Sequence, residues 1–314
     1  MIFSFRFRYI LHTHEVHRNH RNSITYYKAH LQGVFMFYIT STDGTKIAVY
    51  DYCPQGKQTV FLIHGWPLSH QIFEYQINLL IGCGYRVVAM DIRGFGKSDT
   101  PVCGYSYNQM STDLFQIVRR LRLTNFILVG FSMGGAIALR YMNRYKGFGV
   151  CRLILLSAAA PCFTKRPGFP YGKTVQEVNE LICLAETDRP QLCQNFSKQL
   201  LACPHSDAIV DWFRGIALSA SGIGTIKCAI SLRDEDCRKD LPCVHVPTYI
   251  IHGAQDVIVS NELAEIQHKC ICGSRLITLS DSGHGIMYDQ LEKFNAIFMN
   301  AISNSAPSEK SFIE

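Results

Sequence analysis

From residue 36 onward, short apolar runs alternate with longer amphipathic stretches at a steady spacing. "FYITST" and "KIAVYD" flank Asp43-Gly44, a turn-forming pair between two alternating runs, and predict a β-hairpin. "TVFLI" (59–63), "RVVAM" (86–90), "FILVG" (126–130) and "RLILLS" (152–157) are continuous apolar runs, the mark of strands covered on both faces. Helical spacing lies between them, around 70–82, 109–122 and 133–146. The rhythm breaks after Ala160 and resumes at "PTYIIHG" (247–253), a helix near 260–269, "RLITL" (275–279) and a last helix from about 286 to 302. Alternation of this kind predicts an α/β fold, a mostly parallel twisted sheet with helices on both faces.

Residues 161–244 are rich in Pro, Cys and polar residues, with helical patches in "TVQEVNELICLA" and "DAIVDWFRGIAL". They are expected to form a helical cap inserted between two strands of a core made of 36–160 and 245–302. No internal repeat appears, and residues 303–314 read as a flexible tail. Residues 1–35 carry neither a signal-peptide h-region nor a small-residue cleavage site. They are read as a disordered extension, an origin upstream of the true start being one explanation. His12, His14, His17 and His20 within it could bind metal only opportunistically.

Composition narrows the picture. The chain has 314 residues, 47% of them hydrophobic, enough for a large core. Its formal charge of +6 is concentrated at the front: residues 1–35 hold a net +4, leaving +2 for the other 279. A body so near neutral does not suggest nucleic-acid binding. No stretch reaches the roughly eighteen uncharged apolar residues of a membrane helix. The thirteen cysteines are scattered, odd in number and without a C-x-x-C pair, as in a reduced cytoplasmic protein that uses them as buried small hydrophobes. His268, Cys270 and Cys272 would share one face if their segment were a strand, but no fourth ligand with suitable spacing follows, so no metal is expected.

Ligands of open α/β sheets bind beyond the carboxyl ends of the strands, so the residues after each strand carry the chemistry. "FILVG" leads into Gly130-Phe131-Ser132-Met133-Gly134, the G-x-S-x-G spacing that a serine on a sharp strand-to-helix turn requires. "TVFLI" leads into His64-Gly65-Trp66-Pro67, where the Trp66 N–H could join that of Met133 as an oxyanion hole. Two later strands end at Asp256 and His284, which completes the order serine, acid, histidine. His284 would take the Ser132 proton, and Asp256 would fix the imidazole tautomer. His64 and His252 read as packing residues, and Asp281 stands too close to His284 in sequence to orient it. "DIRGFGKSD" lacks the first glycine of a phosphate loop, since Asp91 stands there; local pairing of Asp91 with Arg93 is expected instead.

"FLIHGWP", "MDIRGFGKSD", "LVGFSMGGAIALRY", "LILLSAAAP", "YIIHGAQD" and "GHGI" together resemble the successive signatures of the α/β-hydrolase fold. They are similar in particular to its cofactor-free (non-haem) haloperoxidase/arylesterase (perhydrolase) branch. The likeness runs from about 36 to 302 and is loose only over the cap. It implies hydrolysis of small carboxylic esters through an acyl-serine on Ser132, with perhydrolysis as a side activity and no cofactor. Phe131 stands where the family often has His, and Ser260 where a proline usually follows the acid loop. Lactone, amide or carbon–carbon hydrolysis with the same triad is the alternative chemistry, and a non-catalytic binding protein the alternative class. Phe131, Phe163, Trp212 and Phe213 are the candidate pocket residues. The expected partner is a small ester, with no nucleic acid and no membrane; the pattern does not oppose a homo-oligomer.

Overall fold

The computed structural model describes residues 35–303. The four histidines near the start, the extension up to residue 34 and the tail from 304 lie outside them. Phe35, read as the end of the extension, instead opens the first strand, β1 (Phe35–Thr40), because its backbone pairs with Asp51.

β1 and β2 (Lys46–Tyr52) form the expected antiparallel hairpin, turned at Gly44 in a left-handed conformation that favours glycine. β3 (Thr59–Ile63), β4 (Arg86–Met90), β5 (Phe126–Phe131), β6 (Val150–Leu156), β7 (Thr248–Gly253) and β8 (Arg275–Leu279) complete an eight-stranded sheet, ordered β1-β2-β4-β3-β5-β6-β7-β8. β2 meets β4 antiparallel, and from β4 to β8 all neighbours are parallel. The continuous apolar runs occupy the centre: β5 is buried at every position, with helices on either face.

The helices of the α/β rhythm are α1 (Glu74–Gly82), preceded by a 3-10 turn over His70–Phe73, then α2 (Tyr107–Arg120) and α3 (Met133–Arg144). Between β6 and β7 come α4 (Val175–Thr187), α5 (Arg189–Gln199), α6 (Asp207–Leu218) and α7 (Gly222–Asp234). Thr174 and Glu177 cap α4 reciprocally, and Asp188 caps α5 through the Gln191 N–H. α8 (Asn261–Cys270) follows β7, and α9 (Ile286–Asp289) and α10 (Leu291–Ser303) follow β8.

Four expectations are corrected here. The last helix is not continuous: Gln290 leaves helical geometry, its side chain tied to Asp281 and Ser282, while Asp289 accepts N–H groups from Gly283, Ala202 and Cys203. His268 and Cys270 end α8 rather than lying on a strand, with Cys272 in the turn beyond, so the three do not share a face; His268 pairs with Ser274. Asp91 and Arg93 do not pair, because the chain turns between Ile92 and Phe95 and sends them apart. Asp91 accepts from His70, the Tyr50 hydroxyl and the Lys97 N–H. Arg93, wholly buried, binds Asp113 and Asp43. The thirteen cysteines are all free thiols, but only Cys162, Cys193, Cys228 and Cys237 are buried, so the small-hydrophobe reading holds for those four alone. No single described helix is long and apolar enough to cross a membrane; α6 and α7 reach that length only together, with a 94° bend between them.

Candidate active site

Ser132 sits between β5 and α3 with φ +53° and ψ −121°, a conformation that costs an ordinary residue roughly 1–3 kcal/mol. The turn is held there from several sides. Ser132 N–H donates to the Leu156 carbonyl at 2.9 Å, and the Ser132 carbonyl accepts from Gly135 and Ala159 at 2.9 and 3.0 Å. A side chain at Gly135 would stand 2.5 Å from Ala158 Cβ, so only glycine lets α3 lie this close to the end of β6. As the first residue of α3, Met133 has no intrahelical acceptor for its N–H, which is left for whatever lies beside Ser132.

The turn after β3 approaches the same point. A Cβ built on Gly65 would stand 2.6 Å from Ser132 Cβ. His64, fully buried, holds this turn: its Nδ1 donates to the Gly65 carbonyl and its Nε2 accepts the Ile92 N–H, each at 2.9 Å. Burial pushes the His64 imidazole down to about 4, so it stays neutral and keeps both bonds. Trp66 is anchored by its indole N–H to the Thr225 carbonyl of α7 at 2.9 Å. Its main-chain N–H has no hydrogen-bond partner among the described residues.

Asp256 and His284 follow β7 and β8. His284 Nδ1 lies 2.7 Å from Asp256 Oδ2, and both side chains are fully buried. Asp256 Oδ1 accepts the Ile258 and Val259 N–H groups, each at 2.8 Å. Burial alone would raise the Asp256 carboxyl; facing His284 and these donors hold it below the ordinary carboxylate value. The other imidazole nitrogen, His284 Nε2, is buried and has no partner among the described residues. A carboxylate bound at Nδ1 fixes the tautomer in which Nε2 can accept a proton. Phe131 packs against the His284 ring, centroids 4.9 Å apart.

A cavity of about 190 Å³ opens beside Ser132. Trp66, Phe163, Leu181, Leu192, Phe196 and Ile258 form its apolar wall, with Lys173, Glu177, Asn195 and Gln199 also lining it. Of the candidate pocket residues, only Phe163 lines this cavity. Phe131 lies buried between Phe73 and His284. Trp212 and Phe213 pack on Tyr288, and Trp212 also on Tyr75, because α6 turns its apolar face toward α9 and α1. The walls missed in the sequence come largely from α4 and α5. Their signal was the Asp188 cap followed by Leu192 and Phe196 four apart, within an otherwise polar segment. Among the described residues there is no cluster of three or more side chains suited to hold a metal ion.

Comparison with known proteins follows the same lines. The α/β hydrolase fold family matches over residues 58–181. The AB hydrolase superfamily protein YisY of Bacillus subtilis (strain 168) is 46% identical over 250 residues, 80% of this chain and 92% of that protein. The structure of an esterase from Exiguobacterium antarcticum superposes with a TM-score of 0.83 at 44% identity, covering 85% of this chain and 99% of its own. The crystal structure of a bromoperoxidase from Bacillus anthracis does so with a TM-score of 0.81 at 32% identity, covering 86% and 99%.

Proposed function

The chain belongs to the α/β-hydrolase superfamily, and from that premise we propose a serine esterase that cleaves small carboxylic esters through an acyl-enzyme on Ser132. In this reading Ser132 Oγ attacks the ester carbonyl while His284 Nε2 takes its proton. The same nitrogen then returns the proton to the departing alkoxide, and Asp256 stabilises the imidazolium between the two transfers. The carbonyl oxygen, charged in the tetrahedral intermediate, is held by the Met133 and Trp66 N–H groups. Water activated by His284 releases the acid. Hydrogen peroxide in place of water releases a peracid and free Ser132; the peracid then oxidises a halide ion to hypohalous acid and becomes the carboxylate. No step calls for a cofactor.

The observation that carries the reading is His284, bound to Asp256 through one nitrogen and with the other buried and without a partner among the described residues, in a site whose serine adjoins an apolar cavity. The bromoperoxidase and esterase among the similar structures support the two outcomes of deacylation. We further take residues 161–244 as the cap that closes the acyl cavity over a core of 36–160 and 245–302. We place the protein in the cytoplasm, in keeping with its thirteen free thiols, with neither nucleic acid nor membrane as partner.

The test is hydrolysis of p-nitrophenyl acetate by the wild type and Ser132→Ala, with the site of fluorophosphonate labelling located by mass spectrometry. Labelling at Ser132 and a loss of at least about a thousandfold in Ser132→Ala are expected. Equal background rates and no label would overturn the reading.

A further inference from the structure

His252 is the last residue but one of β7, four residues before Asp256, and no step of the proposed mechanism uses it. Its ring is fully buried. Nε2 lies 3.0 Å from the Val259 carbonyl and 3.5 Å from Asp256 Oδ2, while Nδ1 is buried with no partner among the described residues. A carbonyl can only accept, so Nε2 carries the proton. Burial depresses the imidazole below its ordinary value, against the opposing pull of Asp256, so the ring remains neutral with that single N–H.

The Val259 peptide is thereby held at both ends. Its carbonyl accepts from His252, and its N–H donates to Asp256 Oδ1 at 2.8 Å. The Ile258 N–H binds the same oxygen, which makes residues 256–259 a tight turn closed on the carboxylate of its own first residue. Oδ2 pairs with His284 at 2.7 Å, with His252 Nε2 the more distant contact at 3.5 Å. The charged or titratable groups acting on His252 are Asp256, His284 and, at the start of α8, Glu262. Lys165, Lys173 and Glu177 line the groove on the other side of Asp256.

We propose that His252 is a positioning residue of the active site. Its Nε2–H fixes the Val259 peptide, and through it the rotation of the Asp256 carboxylate that aims Oδ2 at His284. The inference rests on the reading of Asp256 and His284 as acid and base. Without the donor, the buried Val259 carbonyl loses its partner and the turn relaxes, so the Oδ1 anchors loosen and Oδ2 swings from His284 Nδ1. Displacements of about 1 Å in a catalytic constellation cost on the order of a hundredfold in rate.

The experiment compares His252→Leu, His252→Asn and His252→Gln in the full chain, each checked for folding by circular dichroism. Glutamine places an amide N–H near the position of His Nε2 and can restore the bond; asparagine is too short, and leucine has no donor. We expect kcat on p-nitrophenyl acetate to fall about ten- to a hundredfold in the Leu and Asn variants, with KM within about twofold, because His252 does not line the cavity. The Gln variant should stay within about threefold of wild type. The second readout is the far-downfield proton NMR signal of His284 Nδ1–H, assigned by its loss in Asp256→Asn. It should move upfield or vanish in the Leu and Asn variants and return in Gln. If Leu fails to fold, Asn against Gln decides. A folded Asn variant with the wild-type kcat and signal, or a Gln variant as impaired as Asn, would overturn the inference. Because the signal is read without substrate, it stands apart from the esterase reading: an inert wild type, or a signal unmoved in Asp256→Asn, would count against that reading instead.

Discussion

Two backbone turns approach closely in the site, and their contact can be broken with one methyl group. Gly65 takes no left-handed conformation, so alanine there carries no backbone strain of its own. Its Cβ, however, would stand 2.6 Å from Ser132 Cβ and 3.1 Å from the Phe131 carbonyl oxygen. Carbon atoms settle at about 3.5–4.0 Å, so the turn after β3 must retreat from Ser132 by about 1 Å. The retreat carries the Trp66 N–H with it. A misplacement of that size costs about a hundredfold, and the loss of one oxyanion donor about a hundred- to a thousandfold in kcat. For Gly65→Ala we therefore expect kcat on p-nitrophenyl acetate to fall about a hundredfold or more while the fold survives. Gly215→Ala is the control, since a Cβ there meets nothing within 4 Å, and it should leave kcat unchanged. Steady-state kinetics and thermal melts on both variants settle the matter. A folded Gly65→Ala enzyme within about threefold of the wild-type kcat would refute the claim that this turn and the serine form one site.

Four further outcomes follow from particular contacts. Phe196→Ala opens the cavity wall, so kcat/KM should shift toward longer acyl chains by about fourfold per added methylene accommodated. Trp212→Ala, at a partly buried position, should cost about 3 kcal/mol of stability without that shift, and a chain-length profile over p-nitrophenyl esters separates the two. Arg93→Met leaves Asp113 buried without its cation and Asp43 short of its partner, and should destabilise by about 3–5 kcal/mol in urea melts; a loss below about 1 kcal/mol would contradict this. Burial would raise the Asp91 carboxyl, but the His70 bonds overcome it and hold the group at about 2, below its ordinary 3.8. Its stabilisation is therefore complete above about pH 4 and fades as pH falls toward 2, a swing of about 2 kcal/mol that Asp91→Asn should lack in unfolding measured between pH 5 and 2.

The core and the serine elbow were readable because their signals are local. Continuous apolar runs mark buried parallel strands, and the residues after each run, Ser132, Asp256 and His284 among them, share one edge of the sheet by topology alone. The segment between β6 and β7 was harder to read. α5 and α7 went unseen because α5 is mostly polar and α7 is apolar with little facing preference, so periodicity is weak in both. Periodicity also says that a face is buried without saying against what. Trp212 and Phe213 sit on α6, one of the two patches that were recognised, yet they face α9 and not the cavity. The mistaken pairing of Asp91 with Arg93 has a similar cause: both partners of Arg93 come from distant parts of the chain.

β6 and β7 lie side by side, although about ninety residues separate Leu156 from Thr248. Closing so long a loop costs only about 1.3 kcal/mol more than closing one of twenty residues, so the insertion is thermodynamically cheap. Its effect falls on the order of assembly. Ser132 belongs to the stretch of chain before the insertion, and Asp256 and His284 to the stretch after it. On the proposed roles, a chain whose first six strands have formed already holds Ser132 but lacks the His284 that would activate it. During refolding, capture of Ser132 by a fluorophosphonate should accordingly lag the far-ultraviolet circular dichroism signal; capture that keeps pace with that signal would contradict this order. If Ser132 and His284 act as proposed, a partly folded or nascent chain is expected to stay chemically silent until its last two strands have docked.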